Sequence, residues 1–169
     1  MGLDRVDFLV ANDPWQKSRD RIVSPTAIRL EMVQALVDGF SGLGVDDREI
    51  RRGGLTYTVD TLEELAAEQP ETDIFLVVGQ DTASRISTWH RYEEVLALST
   101  LVIVNRAEYN AQLPDELSGA RVQNVLMPAV DVSSTRIRAA VASGEDISGL
   151  TSDAVVSVIR RYGLYGATA

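Results

Sequence analysis

The 169-residue sequence contains no cysteine, which excludes disulfides, thiolate nucleophiles and zinc–thiolate sites. It has one histidine, His90 beside Trp89. A histidine in such a place is more often a surface or hydrogen-bonded residue than a catalytic base. No apolar run approaches the length needed to span a bilayer, so no membrane segment is expected. The first residues also lack the basic region and apolar stretch of a signal peptide, which fits a cytoplasmic location. Positive charge is scarce: 16 Lys and Arg stand against 25 Asp and Glu, a net charge of −9 with an isoelectric point near 4.6. That balance argues against a general nucleic-acid binder. What is present is ordinary: 45% hydrophobic residues and a mean hydropathy of −0.01 describe a globular chain, most simply one domain with a real core.

Strand and helix signals alternate along the chain. Val6 to Val10 reads as a buried strand and is followed by a polar loop from Asn12 to Val23. Ser24-Pro25 reads as an N-cap with proline at the first helical position. Ile28, Met32, Ala35 and Leu36 then share one helix face, and Gly39 is the stop. Val45 to Arg51 reads as a weaker strand ending at Gly53-Gly54, and Val59, Leu62, Leu65 and Ala66 mark a second amphipathic helix. Ile74 to Val78 is the strongest strand, a continuous apolar run suited to a parallel sheet covered on both faces. It stops at Gly79-Gln80-Asp81, a strand-to-helix turn. A helix from Tyr92 to Leu98, a strand from Leu101 to Val104, a loop-like stretch over 107–121 and a strand at Val125-Leu126-Met127 follow. Ser152 or Asp153 opens a last helix with Val155, Val156 and Ile159 inward, ending at Gly163. The pattern predicts an α/β doubly wound, Rossmann-like parallel sheet with helices on both faces.

Such sheets bind ligands beyond the carboxyl ends of their strands. Polar clusters fall there at Asn12 to Lys17, Gly79 to Asp81, Asn105-Arg106 and Ser133-Ser134-Thr135. The last cluster opens a helix that runs to about Ser143 and ends at Gly144. Amides at a helix start lack internal partners and carry partial positive charge, so hydroxyls there suit phosphate oxygens. Arg138 lies four residues after Ser134, one turn along the same face. The same serines would equally serve as an ordinary N-cap. An acidic protein that handles polyanions must gather positive charge locally. Lys17, Arg19 and Arg21, and then Arg136 and Arg138, are the two places that do so, whereas Arg160-Arg161 reads as solvated surface.

Read in order, these pieces resemble the bacterial nicotinate-nucleotide adenylyltransferases of the nucleotidyltransferase superfamily. The resemblance rests on Pro14-Trp15-Gln16-Lys17, on Gly53-Gly54-Leu55-Thr56-Tyr57-Thr58-Val59-Asp60-Thr61-Leu62, on Gly79-Gln80-Asp81 leading to Trp89, and on Ser133-Ser134-Thr135-Arg136-Ile137-Arg138. It spans about residues 6–165. It implies adenylyl transfer from ATP to nicotinate mononucleotide, giving deamido-NAD and pyrophosphate. By resemblance, Ser134, Thr135 and Arg138 hold the ATP phosphates with Mg²⁺ bridging them, Gly79 and Asp81 lie at the ATP ribose, and Arg106 lies on the adenine side. Trp89 stacks on the nicotinate ring, Tyr57 and Thr58 hold the nicotinate end, and Lys17 lies near the mononucleotide phosphate. The implied partners are these two small molecules, with no nucleic acid and no membrane; a homo-oligomer is compatible with the pattern.

One family element is not found. The family carries an N-terminal strand and a Gly-rich turn ending His-x-Gly-His, whereas this sequence opens Met1-Gly-Leu-Asp-Arg, where the family would be entering its second strand. The catalytic residues are therefore unassigned, and the domain over 1–169 is read as truncated at its N-terminus relative to the family. The missing strand would occupy the middle of the sheet, leaving its flanking strands unpaired or forced together. Three readings follow. The first is a nicotinate-nucleotide adenylyltransferase whose printed sequence starts late. The second is a non-catalytic nucleotide-binding short form. The third is an adenylyltransferase for another acceptor, such as nicotinamide mononucleotide or pantetheine phosphate.

Overall fold

The computed structural model describes residues 2–13, 23–106, 114–128 and 130–167. The chain divides into two compact units, Met1–Thr56 with Asp131–Ala169, and Tyr57–Val130.

In the first unit, β1 (Val6–Leu9) and β2 (Leu43–Asp46) pair in parallel, with Phe8 opposite Val45, and helix α1 (Thr26–Val37) is the crossover between them. α1 begins one residue later than the sequence suggests. Pro25 itself occupies the N-cap with φ −50° and ψ 140°, while the Ser24 hydroxyl donates to the Tyr165 hydroxyl at 3.1 Å. Ser24 is drawn away from the helix by partners distant in sequence. Met32 and Ala35 face the core as expected, but Leu36 is exposed and Val37 takes the buried place. The expected strand over 45–51 is corrected more sharply. β2 ends at Asp46, and Arg48–Arg52 form a short helix, α2. The cause is local: Asp46 Oδ1 accepts the Arg48 amide at 2.9 Å and Oδ2 accepts Arg48 Nε at 2.6 Å, a side-chain turn that competes with an extended ladder. The unit closes with α6 (Ser134–Ala142) and α7 (Asp153–Arg161), whose Ala140, Val141, Val155, Val156 and Ile159 form a buried cluster with Ile147. Gly144 at φ +74° follows the α6 C-cap and supplies the left-handed stop.

The second unit holds a three-stranded parallel sheet in the order β3 (Phe75–Gly79), β4 (Thr100–Arg106), β5 (Val122–Met127). Helices α3 (Thr58–Glu68), α4 (Gln80–Ala83) and α5 (Tyr92–Leu98) lie between the strands in sequence. β5 starts at Val122, so the loop-like reading of 107–121 is limited to what precedes it; Asp115–Leu117 is a single 3-10 turn. Residues 107–113 lie outside the described residues. Leu101 and Ile103 of β4 are fully buried with Ala83, Ile86 and Leu117, and a neighbouring cluster joins Val59 and Leu62 of α3 to Val95 of α5.

All strand pairs are parallel, with α-helices between β1 and β2 and between β3 and β4, the predicted α/β pattern. The strands fall into two sheets, β1–β2 and β3–β4–β5. β1 and β3 are each an edge of their own sheet. Apolar side chains on them remain open to solvent: Phe8 is 40% and Val77 47% exposed.

Candidate active site

Within the second unit the residues assigned to the nicotinate side come together. Tyr57 occupies the N-cap position of α3, and Thr58 is its first helical residue. Tyr57 and Trp89 both pack, partly buried, against the Val59–Leu62–Val95 cluster, and Trp89 also touches the Ala83–Ile86 cluster. Trp89 is thus anchored on apolar side chains while part of its surface stays open. The His90 ring lies 4.5 Å from the Tyr57 ring at an interplanar angle of 42°, and His90 is exposed.

At the carboxyl ends of the same unit's strands, Gly79 lies opposite Val104, Asn105 opposite Leu126 and Arg106 opposite Met127. These positions share one rim. Gly79 is in extended backbone, φ −73° and ψ 156°, so no unusual turn requires a glycine there. A Cβ on Gly79 would stand 2.7 Å from Asp81 Oδ1, the end of an exposed side chain that could turn away from it. The absent side chain lets the Asp81 carboxylate fold back over the strand end. The Asn105 Oδ1 atom is buried and accepts no hydrogen bond among the described residues, while its Nδ2 donates to Asn124 Oδ1 at 3.4 Å.

The first unit carries the other group. Ser133, in extended backbone, is the true N-cap of α6; its Oγ accepts the Arg136 amide at 3.2 Å. Ser134 and Thr135 are then the first two helical residues, both exposed. Arg138 Nη2 donates to Thr135 Oγ1 at 3.4 Å, so the guanidinium and this hydroxyl share a helix face. The two arginines of the motif differ. Arg136 turns back to Asp131, donating to its carboxylate at 2.7 Å and its carbonyl at 2.8 Å. Among the described residues Arg138 has no carboxylate partner, so it is the motif arginine whose charge is not already neutralised. Lys17, with Arg19 and Arg21, lies outside the described residues.

Sequence reasoning missed Arg29. Its guanidinium donates to three backbone carbonyls, Ala11 at 2.7 Å, Asn12 at 2.8 Å and Ser24 at 3.0 Å, and to the Thr26 hydroxyl at 3.0 Å. Asn12 in turn donates to the Gly54 carbonyl at 3.0 Å, and the Thr56 amide reaches Asp13 O at 3.3 Å. One side chain thus ties the end of β1 to the start of α1. Burial lowers the Arg29 pKa from its ordinary value, with the charge of Asp13 opposing the shift. A signal existed: an arginine three residues before Met32 falls on the stripe otherwise assigned to the core. Arg29→Ala should destabilise the protein by about 1–3 kcal/mol, because several part-buried carbonyls lose their donor. Urea unfolding measures it, and a change below ~0.5 kcal/mol would show that water replaces the guanidinium without cost.

Parallel strands with polar carboxyl ends and a Ser-Ser-Thr helix start describe a nucleotide-handling α/β protein, and comparison with known proteins gives the class. The family model for cytidylyltransferase-like proteins matches residues 2–140. A protein of Methylibium petroleiphilum described as a probable nicotinate-nucleotide adenylyltransferase is 38% identical over 162 residues, covering 95% of this chain and 76% of the relative. One of Dehalococcoides mccartyi with the same description is 35% identical over 172 residues, covering 98% and 84%. Among solved structures, the Plasmodium falciparum nicotinic acid mononucleotide adenylyltransferase complexed with NaAD superposes with a TM-score of 0.79 over 98% of this chain and 84% of that one. At 16% identity this speaks for a shared Rossmann-like fold. The chain belongs to the cytidylyltransferase-like family and, within it, to the nicotinate-nucleotide adenylyltransferases, a class of enzymes.

Proposed function

We propose that the chain binds ATP and nicotinate mononucleotide and serves adenylyl transfer between them in NAD biosynthesis, in the cytoplasm. In this reaction a phosphate oxygen of the mononucleotide attacks the α-phosphorus of ATP. The bond from that phosphorus to the oxygen bridging towards the β-phosphorus breaks, pyrophosphate leaves and deamido-NAD forms. Such chemistry asks a protein for alignment and charge neutralisation more than for covalent help. In this reading Ser134, Thr135 and Arg138 bind the triphosphate, and Gly79, Asp81 and Arg106 take the adenosine. Tyr57, Thr58 and Trp89 take the nicotinate end, with Lys17 at the acceptor phosphate.

The observation that carries the reading is the gathering of Tyr57, Thr58 and Trp89 on and beside one buried cluster, together with the family membership. An indole with its base fixed and part of its surface open is suited to a flat heteroaromatic ring. Magnesium belongs to the proposal as the triphosphate's counter-ion. It keeps most of its waters and is usually held through phosphate oxygens and one or two carboxylates rather than an all-protein cage. When bound, the ion would spread charge off the phosphates.

A second reading is nucleotide binding without turnover. Incubation with ATP, Mg²⁺ and either nicotinate or nicotinamide mononucleotide, followed by chromatography of the products and calorimetric titration of each ligand, separates the possibilities. Deamido-NAD with pyrophosphate is the expected result. Binding of both ligands without product would support the second reading, faster turnover of the amide would reassign the acceptor, and no binding of either ligand would remove the proposal.

A further inference from the structure

We infer that Arg91 is a positioning residue for the acceptor site, tied to Glu63 so that the turn carrying Trp89 is held against α3. The inference rests on the acceptor reading given above and deepens it. Arg91 has φ 50° and ψ 49°, the left-handed region, which a residue bearing a Cβ enters only against a steric penalty. Backbone of this kind persists where the surroundings over-determine it.

The surroundings here are specific. Arg91 Nη2 donates to Glu63 Oε1 at 2.6 Å and Nη1 to Glu63 Oε2 at 3.3 Å, a two-pronged grip on one carboxylate. Its Nε donates to Glu94 Oε1 at 3.2 Å. The Arg91 carbonyl accepts the amides of Glu94 at 3.1 Å and Val95 at 3.2 Å, which starts α5. One residue therefore begins α5 with its backbone and crosses to α3 with its side chain. Two residues before it stands Trp89, and Glu63 lies on the helix that opens with Thr58. The cluster of Val59, Leu62 and Val95 lies between the same two helices.

An exposed ion pair by itself contributes little to stability. The left-handed backbone changes the expectation. With the guanidinium untied, the turn has a lower-energy right-handed alternative, and taking it would move residues 89–91 relative to α3. The predicted consequence is loss of recognition rather than loss of fold.

The test uses the full chain and the variants Glu63→Gln, Arg91→Gln and their combination, with calorimetric titration of nicotinate mononucleotide and of ATP separately. Each single change should weaken mononucleotide binding about tenfold, in line with the sensitivity of bound ligands to small displacements, and ATP binding by less than about twofold. The double variant should be no worse than the poorer single, because both remove the same tie. Arg91→Lys, which keeps the charge but not the fork, should recover only part of the affinity. Equal losses for both ligands, no loss for either, or additive losses in the double variant would overturn the inference. A second arm needs no ligand: amide exchange at Trp89, whose N–H donates to Ile86 O at 2.9 Å, should quicken in Glu63→Gln without a fall in global stability. Unchanged exchange overturns the tie whatever the protein binds. A wild-type chain that does not bind the mononucleotide overturns the acceptor reading, and the exchange result then decides the tie separately.

Discussion

Trp89→Ala should weaken binding of nicotinate mononucleotide by roughly one to two orders of magnitude and leave ATP binding within about twofold. Stacking a heteroaromatic ring on an aromatic side chain contributes ~1–3 kcal/mol per base in alanine-substitution experiments, and an apolar methyl cannot replace it. The ATP contacts assigned to Ser134, Thr135 and Arg138 belong to another helix, so they lose nothing directly. Trp89 also packs on Val59, Leu62, Val95, Ala83 and Ile86, and removing it opens space that these residues fill only in part. Trp89→Phe separates the two effects, because it keeps an aromatic face with less volume. Calorimetric titration of each variant with each ligand, beside a urea curve, reads them apart. An equal loss for both ligands would refute the stacking role and leave Trp89 a core residue.

Arg138→Ala should lower ATP affinity by about ten- to a hundredfold with little change in stability, since hydrogen bonds to charged groups contribute ~1.5–3 kcal/mol. Stability should hold because, among the described residues, the side chain makes a single long hydrogen bond, 3.4 Å to the Thr135 hydroxyl. Arg136→Ala is the matched control. Its guanidinium is already held by the Asp131 carboxylate and carbonyl, so its removal should change ATP affinity much less. Titration of ATP into both variants at one salt concentration makes the comparison. Unchanged affinity in Arg138→Ala, or an equal fall in both variants, would take Arg138 out of the phosphate site.

Much of the fold was legible where local chemistry decides it. Ser152 caps α7 as read, its Oγ accepting the Val155 amide at 3.3 Å, and Gly144 ends α6 as read, because both depend on neighbours a few residues away. The Ile74 run was legible as a strand from its apolar β-branched residues, but the expected cover on both faces is not found, since β3 is a sheet edge and Val77 is 47% exposed. Failures came where a side-chain partner, distant or near, outbid the backbone preference of the segment. Ser24 had the sequence of a cap but is engaged by Tyr165 and Arg29. The 45–51 segment looked extended until Asp46 turned its carboxylate onto Arg48. Of the site, residue types at strand ends were readable, Tyr57 and Trp89 were picked out by the resemblance alone, and the cluster they share was not foreseen. The Glu63–Arg91 tie was not readable, because a left-handed arginine leaves no local pattern, and Arg29 left only its place on the core-facing stripe.

Tyr57 and Trp89 stand on Val59, Leu62 and Val95, side chains with almost no contact with water. Their placement is therefore tied to a buried cluster of this unit as well as to the Arg91–Glu63 pair at the turn. Retuning the acceptor specificity by mutation would mean repacking that cluster, so changes of substrate and changes of melting temperature should travel together in any evolved series.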